Sequence, residues 1–125
     1  MKSFSILLFT VFAFPVLSAS CLQTDKSEYS NCLDEQVVAL EREMEVSERT
    51  IKADLEAAAK LNGRFGPIAL FEKSRREYRA YVSSHCQWQY LTQIPNSLAG
   101  AILFKECLVQ HHQQQIAELS ALKIH

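Results

Sequence analysis

The fold is decided by residues 33–61, which read LDEQVVALEREMEVSERTIKADLEAAAKL. Apolar side chains recur there at steps of three, four and seven residues, the spacing of one face of an α-helix. These positions are Leu33, Val37, Leu40, Met44, Ile51, Leu55, Ala58 and Leu61. Asp25 and Glu28 form a helix start signal, and Asn62-Gly63 form a stop signal. A helix of roughly 45 Å, at 1.5 Å per residue, must pair with another helix along its length in so small a protein.

Two further helices follow the same period. The second is expected to begin near Pro67, which suits the first turn of a helix, and to end at Ile94 before a second proline. The third is expected to be capped by Asn96 or Ser97, and its apolar stripe extends to Leu122. The sequence therefore predicts an all-α fold, an antiparallel hairpin of long helices plus a third packed helix, stapled by disulfides.

The composition excludes several classes of protein. The chain has 125 residues, and 13 Lys and Arg nearly balance 14 Asp and Glu, for a formal charge of −1. A nucleic-acid-binding protein would carry a strongly basic surface, so no nucleic-acid partner is expected. Three glycines and three prolines are too few for a β-sandwich or barrel, and equally for a disordered linker protein. The length allows one domain.

The first twenty residues have the character of a secretory signal peptide. Lys2 provides a positive charge, and residues 4–14 form an apolar run that ends at a proline. Small residues then allow cleavage after Ser18 or after Ser20. A membrane-spanning helix needs about 20 apolar residues, roughly twice the length of this run. We therefore expect residues 1–20 to be a leader that directs secretion.

Residues 21–125 are then the single mature domain, with no transmembrane segment. Cys21 follows the cleavage region, and a lipoprotein anchored there is the alternative to a soluble product. A lipid-attachment site usually has leucine three residues before the cysteine, whereas this chain has Ser18 at that position and Leu17 one residue further back. A soluble mature chain is the preferred interpretation.

All four cysteines remain in the mature chain, and an even number in a short secreted protein implies disulfides. Cys86 and Cys107 lie at equal distances from the turn at Pro95-Asn96, so two antiparallel helices would place them level with each other. Cys21 and Cys32 are then left to pair. Four cysteines allow three connectivities, of which we favour Cys86–Cys107 with Cys21–Cys32.

No motif for catalysis or cofactor binding is found. The chain has neither a Gly-x-Ser-x-Gly turn nor a glycine-rich phosphate loop. His85 adjoins Cys86, but cysteines of a secreted chain favour disulfides over metal binding. His111 and His112 point about 100° apart on a helix and cannot hold one ion together, and His112 falls on the apolar stripe. We expect a protein that is not an enzyme and that has no metal and no cofactor.

The charges are unevenly distributed. Residues 33–60 carry eight acidic and four basic side chains, whereas residues 67–94 carry two acidic and four basic ones. The simplest explanation is that antiparallel neighbours place opposite charges side by side at the rim of their interface. The alternative is an acidic face of the first helix that binds a basic protein partner, because complementary fields speed encounter. The candidates for that face are Glu41, Glu45 and Glu48.

The aromatic residues of the second helix are mostly expected in the core. They are Phe71, Tyr78, Tyr81, Trp88 and Tyr90. Tyr81 and Tyr90 lie off the central line of the apolar stripe, which makes them alternative candidates for exposed anchors of a binding face.

The order of these landmarks resembles the LprI-like (DUF1311) family of small secreted proteins, named for a lysozyme inhibitor. One block is Cys21 followed by Glu28-Tyr29-Ser30-Asn31-Cys32, which is similar to the family's opening before a long helix. The other block is Arg76-x-Tyr78-x-x-Tyr81-x-x-x-x-Cys86, then Ser97, Cys107 and Leu119.

The resemblance implies a helical, disulfide-bonded domain without catalysis that binds lysozyme-type muramidases. We therefore expect a periplasmic binding protein that inhibits such a glycosidase by blocking its active-site cleft, where two carboxylates flank the scissile bond. Host lysozymes are basic, so the acidic face of the first helix is the expected contact. The alternative is a non-catalytic module of envelope assembly, or an immunity-type partner of a secreted effector, which would leave lysozyme unaffected.

Overall fold

The computed structural model describes residues 21–22, 24–122 and 124, and the expected leader lies outside them. Three helices follow one another: α1 (Lys26–Asn62), α2 (Gly66–Leu91) and α3 (Ser97–Ala121). No strand is present in the described part of the chain, and the predicted all-α fold is confirmed. Over the same residues, none of the helices combines the length and the apolar character that a membrane crossing requires.

Helix α1 begins and ends at the predicted signals. The Asp25 carboxylate accepts hydrogen bonds from the backbone N–H groups of Ser27 and Glu28, at 2.9 and 3.0 Å. At the other end Gly63 has a φ of 71°, a left-handed conformation that favours glycine, and its N–H donates to the carbonyl of Ala59 at 2.7 Å. These caps satisfy backbone groups that the helix itself leaves unpaired.

Helix α2 ends at Leu91, three residues before the Ile94 expected from the sequence. The residue that precedes a proline is disfavoured in a helix, and residues 92–95 form a turn instead. Asn96 then caps α3, and its side-chain oxygen accepts a hydrogen bond from the N–H of Ala99 at 3.0 Å. The short turn makes α2 and α3 antiparallel neighbours.

Helix α3 packs against both of the other helices, whereas α1 and α2 contact each other much less. The Tyr29 hydroxyl donates to Glu106 at 2.7 Å, and Glu41 lies 3.8 Å from His112, so α1 and α3 run parallel. Tyr78 of α2 meets His112, whereas Cys86, further along α2, is bonded to the earlier Cys107 of α3, so α2 runs antiparallel to both. The predicted hairpin with a third packed helix is present. The most extensive contact between two helices is that of α1 with α3.

The core consists of two clusters along α3. Met44 and Ile51 pack with Leu119 near the end of α3. Val82 packs with the Cys86–Cys107 disulfide nearer to its beginning. Because both clusters draw on α3, this helix holds the other two in place.

Two disulfides are formed, with the pairing favoured from the sequence. Cys86 and Cys107 join α2 to α3 across a Cα–Cα distance of 5.6 Å, and Cys86 is completely buried. Cys21 and Cys32, with Cα atoms 5.8 Å apart, tie the segment before α1 onto that helix. One bridge thus links two helices, and the other fastens the segment before α1.

Lys105 interrupts the apolar stripe of α3 for a structural reason. Its ammonium group donates to the Ser30 hydroxyl at 2.8 Å and to the Asp34 carboxylate at 2.6 Å. Both acceptors belong to the first turns of α1, so this lysine fixes the start of α1 against α3.

Several positions of the expected apolar stripes and aromatic core are exposed instead, and they include Tyr81 and Leu122, at 56% and 55% exposure. Leu61 is 90% exposed, because α3 ends level with the region of Ile51 and leaves the last turns of α1 without a third helix. Trp88 is 55% exposed, because it shares a face of α2 with His85, whereas Cys86 occupies the face directed at α3. The apolar stripes predicted the three helices correctly, but they did not predict how much of each helix is buried.

Gly100 marks a close approach of α3 to the end of α2. A Cβ at this position would lie 2.8 Å from both the ring carbon Cδ2 and the carbonyl oxygen of Tyr90. Gly100→Ala is expected to lower the free energy of unfolding by about 2 kcal/mol, since backbone must move to admit the methyl group. Urea denaturation measures this loss. Gly66→Ala is the control, because a Cβ there meets nothing within 4 Å, and equal losses in both variants would contradict the prediction.

Candidate functional site

A cleft of about 310 Å³ opens between α1 and α2, where these helices diverge over α3. Its exposed rim is polar, and its buried or half-buried floor is mainly apolar. The rim residues are Glu41, Glu45, Arg79 and Ser83, and the floor residues are Met44, Val82, Phe104, Leu108 and His112. An apolar floor inside a charged rim is a suitable shape for a protruding segment of another protein.

The three acidic residues singled out from the sequence lie on α1 but differ in exposure. The side chains of Glu41 and Glu45 are 52% and 59% exposed at the rim of the cleft. The side chain of Glu48 is only 13% exposed. Glu45 has a weak partner within its own helix, Arg49, at 3.8 Å. Two of the three carboxylates are thus accessible to a partner, and a role of this face in binding stays a prediction.

The Glu48 carboxylate forms ion pairs with two arginines of α2. One carboxylate oxygen accepts from Nε of Arg75 at 2.9 Å, and the other accepts from Nη2 of Arg79 at 2.6 Å. Arg75 is buried, and its guanidinium lies 4.7 Å above the centre of the Tyr78 ring. At this position the opposite charges of α1 and α2 neutralise each other at the interface, as the simpler explanation of the charge pattern proposes.

A second open cleft, of about 430 Å³, continues from the first along α1 and α2. The two clefts share Glu45 and Arg79, so they form one groove. Within it the Lys52 ammonium lies 2.6 Å from the Glu72 carboxylate. This hydrogen bond and the attraction between the charges raise the pKa of Lys52 and lower the pKa of Glu72. Both groups therefore stay charged, and the groove carries both signs of charge.

The side chain of His112 forms part of the floor of the first cleft. The ring is 5% exposed, and its Nδ1 lies 3.0 Å from the Tyr78 hydroxyl. Burial lowers the pKa of His112, although the nearby Glu41 carboxylate partly offsets this effect. Burial also raises the pKa of Tyr78. The floor is therefore uncharged at neutral pH, and the apolar-stripe histidine is a core residue.

A second group of polar rings lies on the α2–α3 pair, outside this groove. The His85 ring centre is 5.1 Å from that of His111 and 5.2 Å from that of Tyr81. Trp88 meets His85 edge-to-face at 6.0 Å. Sequence reasoning missed the histidine pair because it compared each histidine only with its neighbours in the chain. The equal-distance argument that pairs Cys86 with Cys107 also brings the two histidines within about one helical turn.

Comparison with known proteins identifies the family. No curated protein and no solved structure matches the chain. A family model described as lysozyme inhibitor LprI matches residues 18–119. The matched region includes all four cysteines, the rim carboxylates and both histidines of the second group. The chain therefore belongs to the LprI family.

Proposed function

We propose that this protein is a secreted inhibitor of lysozyme-type glycosidases that acts by binding alone, without catalysis. The observation that carries this proposal is the family match over residues 18–119, which extends across nearly the whole described domain. The groove between α1 and α2 supports it, because it offers a binding surface on a disulfide-bonded helical scaffold. The partner is then a protein, a muramidase of the host.

The proposed mechanism is steric. A lysozyme-type enzyme works in an open cleft in which two carboxylates flank the scissile bond. A rigid protein that covers this cleft excludes the polysaccharide and needs no reactive group of its own. Glu41 and Glu45 present exposed carboxylates that attract a basic enzyme and orient it on the groove. Glu48, the third residue of this face, acts as a positioning residue that holds α2 beside α1.

Lysis of peptidoglycan by a basic lysozyme tests the proposal directly. The purified, oxidised protein is added over a range of concentrations, and we expect dose-dependent inhibition that is lost when the disulfides are reduced. Absence of inhibition at a large molar excess, with several types of lysozyme, would overturn the proposal. That result would favour the envelope module or the immunity-type partner, which co-purification from a periplasmic extract would then identify.

Charge reversal at the rim tests the proposed contact. Glu41→Lys combined with Glu45→Lys is expected to weaken inhibition by at least about tenfold, since two attractive contacts become repulsive. The matched control combines Glu35→Lys with Glu43→Lys, two exposed residues of α1 that do not line the groove. Both double variants change the net charge equally. Equal weakening would indicate only long-range attraction, and no weakening in either would place the contact on another surface.

A further inference from the structure

Two imidazoles from different helices meet beside the Cys86–Cys107 disulfide. His85 of α2 and His111 of α3 have ring centres 5.1 Å apart and ring planes at 81°. Their candidate ligand atoms, together with Sγ of Cys107, all lie within 4.8 Å of one another. Both rings are only partly buried, so an ion from solvent can reach them.

The antiparallel packing of α2 and α3 explains why these side chains converge. His111 lies three residues beyond the position of α3 that is level with His85, a separation of roughly 4.5 Å along the axis. Side chains of a helix tilt toward its N-terminus. In antiparallel helices the tilts are opposite, so the two rings lean toward each other and close this gap.

We propose that His85 and His111 form a binding site for a divalent transition-metal ion, with Cu²⁺ preferred. Imidazole nitrogen is a ligand that suits copper, zinc and nickel, and copper binds most strongly in this series. Metal–nitrogen distances of about 2.0–2.1 Å require the two nitrogens to lie roughly 3 Å apart. The candidate ligand atoms now lie within 4.8 Å of one another, so metal binding requires the partly buried rings to rotate until the two nitrogens reach this separation.

The ligand set is limited to these two nitrogens. Sγ of Cys107 is bonded to Cys86 and is therefore no thiolate, so it does not act as a strong third ligand. Water completes the coordination, and the binding is expected to saturate at micromolar rather than nanomolar Cu²⁺. The open positions distinguish this site from a structural zinc centre, in which four protein ligands enclose the metal.

Trp88 provides a reporter within the site. It is the single tryptophan of the chain and lies edge-to-face with His85, with ring centres 6.0 Å apart. Cu²⁺ is paramagnetic and quenches indole fluorescence at such short range, whereas Zn²⁺ has a filled d shell and does not quench. Fluorescence therefore distinguishes an ion held by this histidine pair from one bound far away.

The test is a Cu²⁺ titration of the purified, oxidised protein, without a histidine tag, at about pH 7.5. We expect saturable quenching of Trp88 with one ion per chain, reversed by excess Zn²⁺ that competes for the same nitrogens. His85→Gln and His111→Gln are each expected to weaken binding by at least about tenfold, because one of only two protein ligands is lost.

The control variants are His112→Gln and His125→Gln, which remove the other two histidines of the chain. His112 is the direct neighbour of His111, but its ring packs against Tyr78, so its removal should leave the titration unchanged. If His85→Gln and His111→Gln titrate like the unmodified protein, or if quenching never saturates, the proposal is wrong. Electron paramagnetic resonance adds a second readout, in which each ligand variant loses one of two coupled nitrogens.

Discussion

Replacement of Cys86 and Cys107 together by alanine is expected to lower the free energy of unfolding by at least about 3 kcal/mol. The bridge closes a loop with a sequence separation of 21 residues. Without the bridge the unfolded chain gains conformational entropy, which stabilises the unfolded state by about this amount. Both sulfurs also belong to the cluster around Val82, so their contacts are lost as well. Alanine rather than serine avoids placing an unpaired hydroxyl in the core. Urea denaturation of the oxidised protein measures the loss.

The double replacement of Cys21 and Cys32 is the matched control. Its sequence separation is 11 residues, so the loop-closure contribution alone differs by only about 0.5 kcal/mol. However, this bridge fastens only the segment before α1, which can fray while the rest stays folded, and we expect a loss of about 1 kcal/mol. A larger loss in this control than in the α2–α3 variant would contradict the prediction, because the Cys21–Cys32 bridge would then stabilise the fold more than the helix–helix bridge does.

The fold could be predicted because its determinants are local in sequence. The apolar period of residues 33–61 and the signals at Asp25 and Gly63 depend on neighbouring residues, and both ends of α1 follow them. The same holds for the α3 cap at Asn96. The connectivity of Cys86 with Cys107 needed one further step, the assumption that a short turn makes two helices antiparallel.

The site could be predicted less well, because it depends on how the helices rotate and diverge. The pattern located Glu41, Glu45 and Glu48 on one face of α1 but did not indicate that Glu48 is occupied by buried Arg75. Arginine is rarely buried unless it is paired, so composition alone favours an exposed side chain. Likewise, nothing local to His85 indicates that a ring 26 positions away meets it. The pairing of Glu48 with Arg75 therefore requires the structure, whereas the histidine pair becomes visible in the sequence only when the antiparallel register of α2 and α3 is used.

Glu48→Gln is expected to lower the free energy of unfolding by about 3 kcal/mol, because it leaves the buried Arg75 guanidinium without a counter-charge. The side-chain shape is retained, so the loss reports charge rather than volume. Glu45→Gln is the matched control three residues away. Its carboxylate is exposed and 3.8 Å from Arg49, and a change of less than about 0.5 kcal/mol is expected.

A second replacement decides whether the buried charge is the cause. Combining Glu48→Gln with Arg75→Met removes both charges of the pair, so no uncompensated charge is left buried. The double variant should therefore recover most of the stability that Glu48→Gln loses. If it is less stable than either single variant, packing rather than the uncompensated charge explains the loss.

The same variants distinguish residues that stabilise the fold from residues that contact lysozyme in the proposed inhibition. Under conditions in which Glu48→Gln stays folded, we expect it to inhibit lysozyme within about threefold of the unmodified protein, because its carboxylate faces α2 and not the solvent. The rim reversal at Glu41 and Glu45 should show the opposite pattern, with stability nearly unchanged and inhibition weakened by at least about tenfold. A Glu48→Gln protein that is fully folded but inactive would instead make Glu48 part of the contact surface, and the partner would then have to displace Arg79 to reach it.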